Sequence, residues 1–481
     1  MFNRIWFAAA AVVAVSLAPC AARPVTASDV ENGLLPLIVI KGDPLRPMAL
    51  SERMQFYRVP GVSIAFFDKD RVLWTLCRGV GDIDANMPVT PDTVFQASSI
   101  AKMATAIGAL RLVGEGKLSL DDDVNGQLKA WRVPPSAFTL KASVTLRRLL
   151  SHSAGTSVHG FSGYAVGTRL PTTIEMLNGA TPATNAPVVV EATPGSRWRY
   201  SGGGYLIVQQ LMAEATGHPF GEAMAELVLK PAGMSASTFE QPLAQARQAS
   251  AASGHNADGT RITGRWMVFP EQAAGGLWST PSDLARLAIA LRKAIDGESQ
   301  AILTTPLARE MVKRQSDDWG LGVNLGGEGG EPRFAHTGNN PGYQAVLIYS
   351  TRTKSGVAVM TNGNNQSGLF YEIVYAVAKA AGWKSYTPEE RTIVTVDPAI
   401  LATYAGRYLA SGAPAFDVSV DGSRLYVAGG PFGEERVELL AESSTTFFIR
   451  SSGFRFVFAK NAAGEIDLTL GGGIQAKRVS P

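Results

Sequence analysis

The stretch QASSIAKMATA, residues 96–106, sets two serines side by side and follows them with a lysine. From Thr93 to Leu110 the one charged side chain is Lys102. An ammonium group held among apolar neighbours loses hydration, which disfavours its charged form and lowers its pKa. A neutral amine at working pH can accept a proton. Ile100, Met103, Ala104, Ile107 and Leu110 recur at helical spacing, so a helix is expected over 98–113, stopped by Gly114 and Gly116. On that helix Ser99 stands three residues before Lys102 and shares its face. Ser98 has no such partner and is expected to cap the helix start. Ser99 therefore reads as a candidate nucleophile with Lys102 as its base. The Ser99 N–H in the first turn would be half of an oxyanion site.

S-x-x-K by itself recurs by chance in many chains, and a lysine snorkelling beside an ordinary serine is the simpler account. Two further stretches shift the balance. WRYSGGGY, residues 198–205, puts Tyr200 before a glycine-rich turn that opens a helix. A phenol there can act as base toward the serine or acid toward a leaving group, unless its ring merely packs on the glycines. FAHTGNNPGY, residues 334–343, begins a strand with His336, Thr337 and Gly338. Glycine lets a ligand come close to the strand edge. Asn339 could offer a second oxyanion N–H, and His336 is otherwise a satisfied loop histidine.

Taken in order, S-x-x-K, Y-S-x and H-T-G resemble the penicillin-recognising serine hydrolases of the peptidase S12 type. That group holds class C β-lactamases, D-alanyl-D-alanine carboxypeptidases, D-aminopeptidases and family VIII esterases. LLSHSAG (149–155), GEGKLSLDDDV (114–124) and GGLWSTPSDLARL (275–287) have the same look, and the resemblance covers roughly 45–382. It implies a mixed α/β sandwich plus an all-α region, an α+β fold with the site between the two parts. It also implies roles: Ser99 acylated, Lys102 its base, Tyr200 relaying protons and His336 in the place of a third-motif lysine or histidine. Asn339 would supply an oxyanion N–H with Ser99, and Thr337 and Gly338 would line the substrate site. No metal or cofactor is implied.

One departure stands out. The second motif of the family usually ends in asparagine, and here that position is Gly202. The asparagine commonly binds the amide side chain of a β-lactam or peptide, so an esterase or D-peptidase acting on a small ester, amide or peptide is expected. His336 instead of lysine leans the same way. The alternatives are a class C-like β-lactamase and a catalytically silent cell-wall-binding homologue.

The remaining sequence excludes other chemistries and places the elements. No G-x-S-x-G elbow, Walker-type loop or C-x-x-C occurs, and His152, His159, His218, His255 and His336 form no H-E-x-x-H. His152 is expected to be a structural histidine beneath the site. With 46% hydrophobic and 18% charged residues and a net charge of +3, the chain can bury large cores and carries no basic stripe for nucleic acid. Arg4, an apolar run over 5–17 and small residues after it form a signal-peptide pattern, with cleavage near Ala22 or Ala27. Export to the periplasm without a membrane span is expected, a lipid anchor at Cys20 being the weaker option. Cys77, in an alternating strand pattern, reads as a small core residue.

Strands are expected across 61–82, 344–350 and 355–363, with helices over 204–216, 219–229, 282–294 and 369–381. Early and late strands should join in one sheet across a helical middle. The domain reading is a signal peptide (1–27), a hydrolase domain (28–383), a charged linker (384–398) and a small all-β, lipocalin-like domain (399–481). Six alternating strands are expected in that last part, between 416 and 472. GGEGG, residues 326–330, reads as a hairpin tip.

Overall fold

The computed structural model describes residues 24–326, 330–364, 368–410, 413–462 and 464–479. Most of the signal-peptide segment and the centre of the 326–330 tip lie outside the described residues. The main sheet is formed by β1 (Gly61–Asp68), β2 (Val72–Asp82), β3 (Met87–Pro88), β4 (Arg333–Asn340), β5 (Tyr343–Ser350) and β6 (Ser355–Thr361), in the order β3-β2-β1-β6-β5-β4. Early and late parts of the hydrolase domain meet where β1 and β6 run antiparallel, with Ile64 opposite Val359. The turn between β1 and β2 is held by Asp68, whose Oδ1 accepts the N–H groups of Asp70 and Arg71.

Both faces of this sheet are covered, which explains why β1, β5 and β6 read as nearly continuous apolar runs. Ala65, Phe67, Leu347 and Ala358 face one core, while Ile64, Phe66, Val346 and Val357 face the other, following the two-residue period of a strand. Helix α1 (Ala101–Gly114), α2 (Gly202–Thr216) and α3 (Pro281–Asp296) build the first core, and α4 (Gly368–Ala381) builds the second. Thr280 caps α3 by accepting the Asp283 N–H at 3.2 Å, with Pro281 in the first turn. The helix expected over 219–229 changes character midway, running as Phe220–Met224 and then as a π-turn over Ala225–Leu229.

Helix α1 is not amphipathic. Residues on every side of it are buried, from Ala101 through Leu112, so it threads the middle of the core. A short 3₁₀ turn, Ser98–Ile100, leads into it. This corrects the expectation for Ser98, which does not cap the helix. Its φ is +53°, and its buried Oγ has no hydrogen-bond partner among the described residues.

The C-terminal part is a closed barrel. Among the described residues its strands are β7 (Gly406–Ala410), β8 (Phe416–Asp421), β9 (Arg424–Ala428), β10 (Val437–Ala441), β11 (Thr446–Ile449), β12 (Arg455–Lys460), β13 (Ile466–Leu470) and β14 (Ile474–Val479). The sequence pattern missed β7 and β14, the pair that closes the barrel through Arg407–Val479 and Leu409–Lys477. Closure leaves no edge strand, and β14, with the pattern IQAKRV, has one buried residue, Ala476. The interior is filled by Tyr408, Phe416, Phe447, Phe456 and Phe458. Two further corrections concern the approach to it. Glu389–Arg391, inside the expected linker, pairs in parallel with Ile38–Ile40, and Pro398–Tyr404 is a helix at the start of the part expected to be all-β. Arg391 lies over Phe448 of the barrel at 4.6 Å and donates to the Gly453 carbonyl at 3.2 Å, which ties the linker down.

Tyr404 stacks on Phe458 at 4.3 Å between ring centroids, and Phe458 is buried. Phe458→Ala is expected to destabilise the barrel by about 3–5 kcal/mol. Native-state hydrogen exchange of residues 406–479 measures this as a fall in the opening free energy of the slowest barrel amides.

Candidate active site

Burial of α1 fixes the electrostatics of Lys102. The side chain is 2% exposed, and burial pushes its pKa down from the ordinary lysine value to about 7. Nζ donates to the Ala274 carbonyl at 2.6 Å and lies 3.1 Å from Ser99 Oγ. Ser99 and Lys102 thus meet on one face across the junction of the 3₁₀ turn and the helix. Ala274 belongs to the short helix Gln272–Gly275, which α1 and α2 hold in place. Thr105 Oγ1 donates to the Ala273 carbonyl at 3.1 Å, while Gln209 accepts the Ala273 N–H and donates to the Pro270 carbonyl. One hydrogen of the amine is therefore held away from Ser99, leaving the nitrogen free to take the serine proton when it is neutral.

Tyr200 precedes α2 and faces the same pair. Its hydroxyl is near enough to Ser99 to interact with it, and Lys102 Nζ lies 4.9 Å from its ring centre. Burial raises its pKa, so the phenol keeps its proton. Of the two roles open to it from sequence, this environment supports proton donor or relay rather than anionic base. Ser201 caps α2 by accepting the Gly204 N–H at 2.9 Å, and this directs the chain leaving Tyr200 into the helix. His152 packs beneath, 4.3 Å from the Tyr200 ring, and its Nδ1 accepts the Ser201 N–H at 3.2 Å. Burial first, and Lys102 next, hold His152 well below the usual imidazole range.

His336 lies on β4, and its ring reaches the same cleft. Burial, followed by Lys102, pushes its pKa down to about 3, so the ring is neutral. Its Nδ1 bonds the Thr337 carbonyl at 2.6 Å and must be the protonated nitrogen. Nε2 is consequently an acceptor, and it has no hydrogen-bond partner among the described residues.

Strand β4 is flanked on one side by β5. On its other side Ala335 exchanges both backbone hydrogen bonds with Asn324, at 2.8 and 2.9 Å. Backbone groups of alternate residues point the same way along a strand. The N–H of Asn339, four residues on, therefore points off that same edge, away from β5. Gly338 permits the approach: a Cβ there would stand 2.2 Å from the Ala97 carbonyl oxygen. Ser99 and Asn339, the residues whose N–H groups are the oxyanion candidates, border one cleft of about 500 Å³.

The cleft gathers every sequence-predicted site residue except Gly338: Ser99, Lys102, Tyr200, Gly202, His336, Thr337 and Asn339 all line it. Sequence reasoning missed the aromatic wall made by Phe161, Trp198, Phe269 and Trp319. Trp198 was within reach as part of WRYSGGGY. Trp319 comes from an irregular loop with no local signal, yet it packs 5.3 Å from His336 and 5.8 Å from Trp198. The titration of Lys102 is directly measurable. Carbon-13 NMR of protein carrying [ε-13C]lysine should show one resonance titrating near pH 7, absent in Lys102→Arg.

A family model described as Beta-lactamase matches residues 49–381. Penicillin-binding protein 4* of Bacillus subtilis (strain 168) is 23% identical over 421 residues, covering 82% of this chain and 86% of the relative. Esterase EstB of Burkholderia gladioli is 30% identical over 201 residues, 40% of this chain and 49% of the esterase. The solved structure of the octameric penicillin-binding protein homologue from Pyrococcus abyssi matches with a TM-score of 0.61 at 25% identity, over 89% of this chain and 98% of that one. With the fold and the cleft in agreement, the chain belongs to the beta-lactamase family, within the penicillin-recognising serine hydrolases.

Proposed function

We propose that this protein is an acyl-serine hydrolase acting on small esters or on amides of D-residue peptides. The observation that carries the reading is a lysine buried to near-neutral pKa with Nζ 3.1 Å from Ser99 Oγ. Neutral Lys102 takes the Ser99 proton as Oγ bonds to the substrate carbonyl carbon. The oxyanion is held by the N–H groups of Ser99 and Asn339. The C–O or C–N bond then breaks, and the leaving group receives a proton from Lys102 by way of Tyr200. Water repeats the sequence on the acyl-enzyme, giving its proton to the same base and releasing the acid and Ser99. His336 Nε2, a free acceptor in the cleft, binds a donor of the substrate or the deacylating water.

The names of the relatives support the chemistry at the level of class, since they include an esterase and penicillin-binding proteins. Gly202 offers no side chain for the amide of a β-lactam, so nitrocefin turnover is expected to be slow beside ester hydrolysis. A silent homologue is disfavoured because serine, lysine and tyrosine are all in contact. Export is part of this reading. Trp74 Nε1 donates to the Val25 carbonyl at 3.0 Å, an interaction that cleavage near Ala22 keeps and cleavage after Ala27 removes.

Treatment with a fluorophosphonate should place a covalent mass on the Ser99 peptide and none in Ser99→Ala; labelling at Ser98 would overturn the assignment. Lys102→Ala should lower kcat/KM for a p-nitrophenyl ester by roughly 10²–10⁴. The base must be neutral to act, and its pKa is depressed to about 7. kcat/KM should therefore climb about tenfold per pH unit below 7 and level off above it. A profile that stays flat from pH 5 to 9 would remove Lys102 from the role.

A further inference from the structure

The glycine at the end of the second motif is more than a missing side chain. A Cβ built on Gly202 would stand 2.7 Å from Phe161 Cε2 and 3.2 Å from the His159 carbonyl oxygen. The space beside Tyr200 that a side chain at position 202 would enter is thus occupied by the Phe161 ring. This ring comes from the loop after LLSHSAG, and the loop is pinned next to α2: the Gly202 N–H donates to the His159 carbonyl at 3.0 Å and the Gly203 N–H to Val158. Position 202 thus faces an apolar shelf on a fixed backbone instead of carrying a polar side chain.

The rest of the cleft has the same character. Trp198, Phe269 and Trp319 complete the wall with Phe161. Among the described lining residues Lys102 is the one Lys, Arg, Asp or Glu, and it is engaged by Ser99 and Ala274. A carboxylate on the substrate would find no second lysine or arginine there, whereas an uncharged ring or chain would exchange water for aromatic surface.

Resting on the acyl-serine reading above, we propose that Phe161 is a specificity-determining residue. It selects substrates that carry an uncharged apolar group, best an aromatic ring, next to the scissile carbonyl.

The test uses methyl acetate, methyl phenylacetate and benzyl acetate, which put a ring on neither side, the acyl side or the alcohol side of the ester. Hydrolysis is followed by pH-stat titration, so no aromatic reporter group competes for the shelf. The unmodified protein should prefer at least one ring-bearing ester over methyl acetate by tenfold or more in kcat/KM. Carboxylation of that ring at its para position should reduce kcat/KM by tenfold or more. Phe161→Ala should cut the ring preference at least fivefold, and Phe161→Leu should cut it less. Preference for methyl acetate by the unmodified protein, or a ratio unchanged within twofold in Phe161→Ala, overturns the proposal. Fluorophosphonate labelling is run in parallel on every variant. Labelling at Ser99 with an unchanged ratio defeats the role of Phe161 and leaves the acyl-serine reading standing; absence of labelling in the unmodified protein defeats the latter. Where Phe161→Ala alone fails to label, the ratio in Phe161→Leu decides, a reduction supporting the proposal and an unchanged value overturning it.

Discussion

Everything at this site depends on one amine taken out of water. Lys102 sits on a helix that is buried on every side, and desolvation alone brings its pKa to about 7. Burying a charged lysine without a carboxylate is costly, and the protein meets that cost by letting the group lose its proton. The same burial keeps Tyr200 protonated and His152 and His336 neutral. With Lys102 in its neutral form, the result is a cluster of uncharged donors and acceptors around Ser99. In such a setting the dipoles of backbone N–H groups act on a developing oxyanion with little screening from water.

Positioning that cluster takes four separate stretches of chain. The 3₁₀ turn and α1 supply Ser99 and Lys102, the start of α2 supplies Tyr200, β4 supplies His336 and Asn339, and the Gln272–Gly275 helix supplies the carbonyl that orients the amine. Each joint is made by a small residue or a backbone contact. Gly338 lets β4 press against the Ala97 carbonyl, and Gly202 lets the 158–161 loop lie against α2. His152 holds one of these stretches at two points, under the Tyr200 ring and on the Ser201 N–H. The barrel takes no part in lining the cleft among the described residues, and its own aromatic core leaves its interior filled.

The reading from sequence was strongest where the signal is local. The isolated lysine in an apolar helical run and the glycines beside Tyr200 and His336 both reflect short-range geometry. It was weakest where distant pairing overrides local pattern. β7 and β14 are strands because they close a barrel on one another, and Glu389–Arg391 is a strand because Ile38–Ile40 lies beside it. Ser98 looked like a helix cap, but the chain enters α1 through a 3₁₀ turn that places this residue at positive φ.

By itself the sequence determined which residues could do chemistry, because nucleophile and base are three residues apart and helical periodicity brings them to one face. It also determined that the lysine would be desolvated, because its neighbours along the chain are apolar. Only the tertiary structure decided that Tyr200 keeps its proton, that the Asn339 N–H points off the edge of β4 away from β5, and that Phe161 fills the space above Gly202. Those outcomes depend on burial, strand edges and ring packing between segments far apart in the chain, and no local pattern records such contacts.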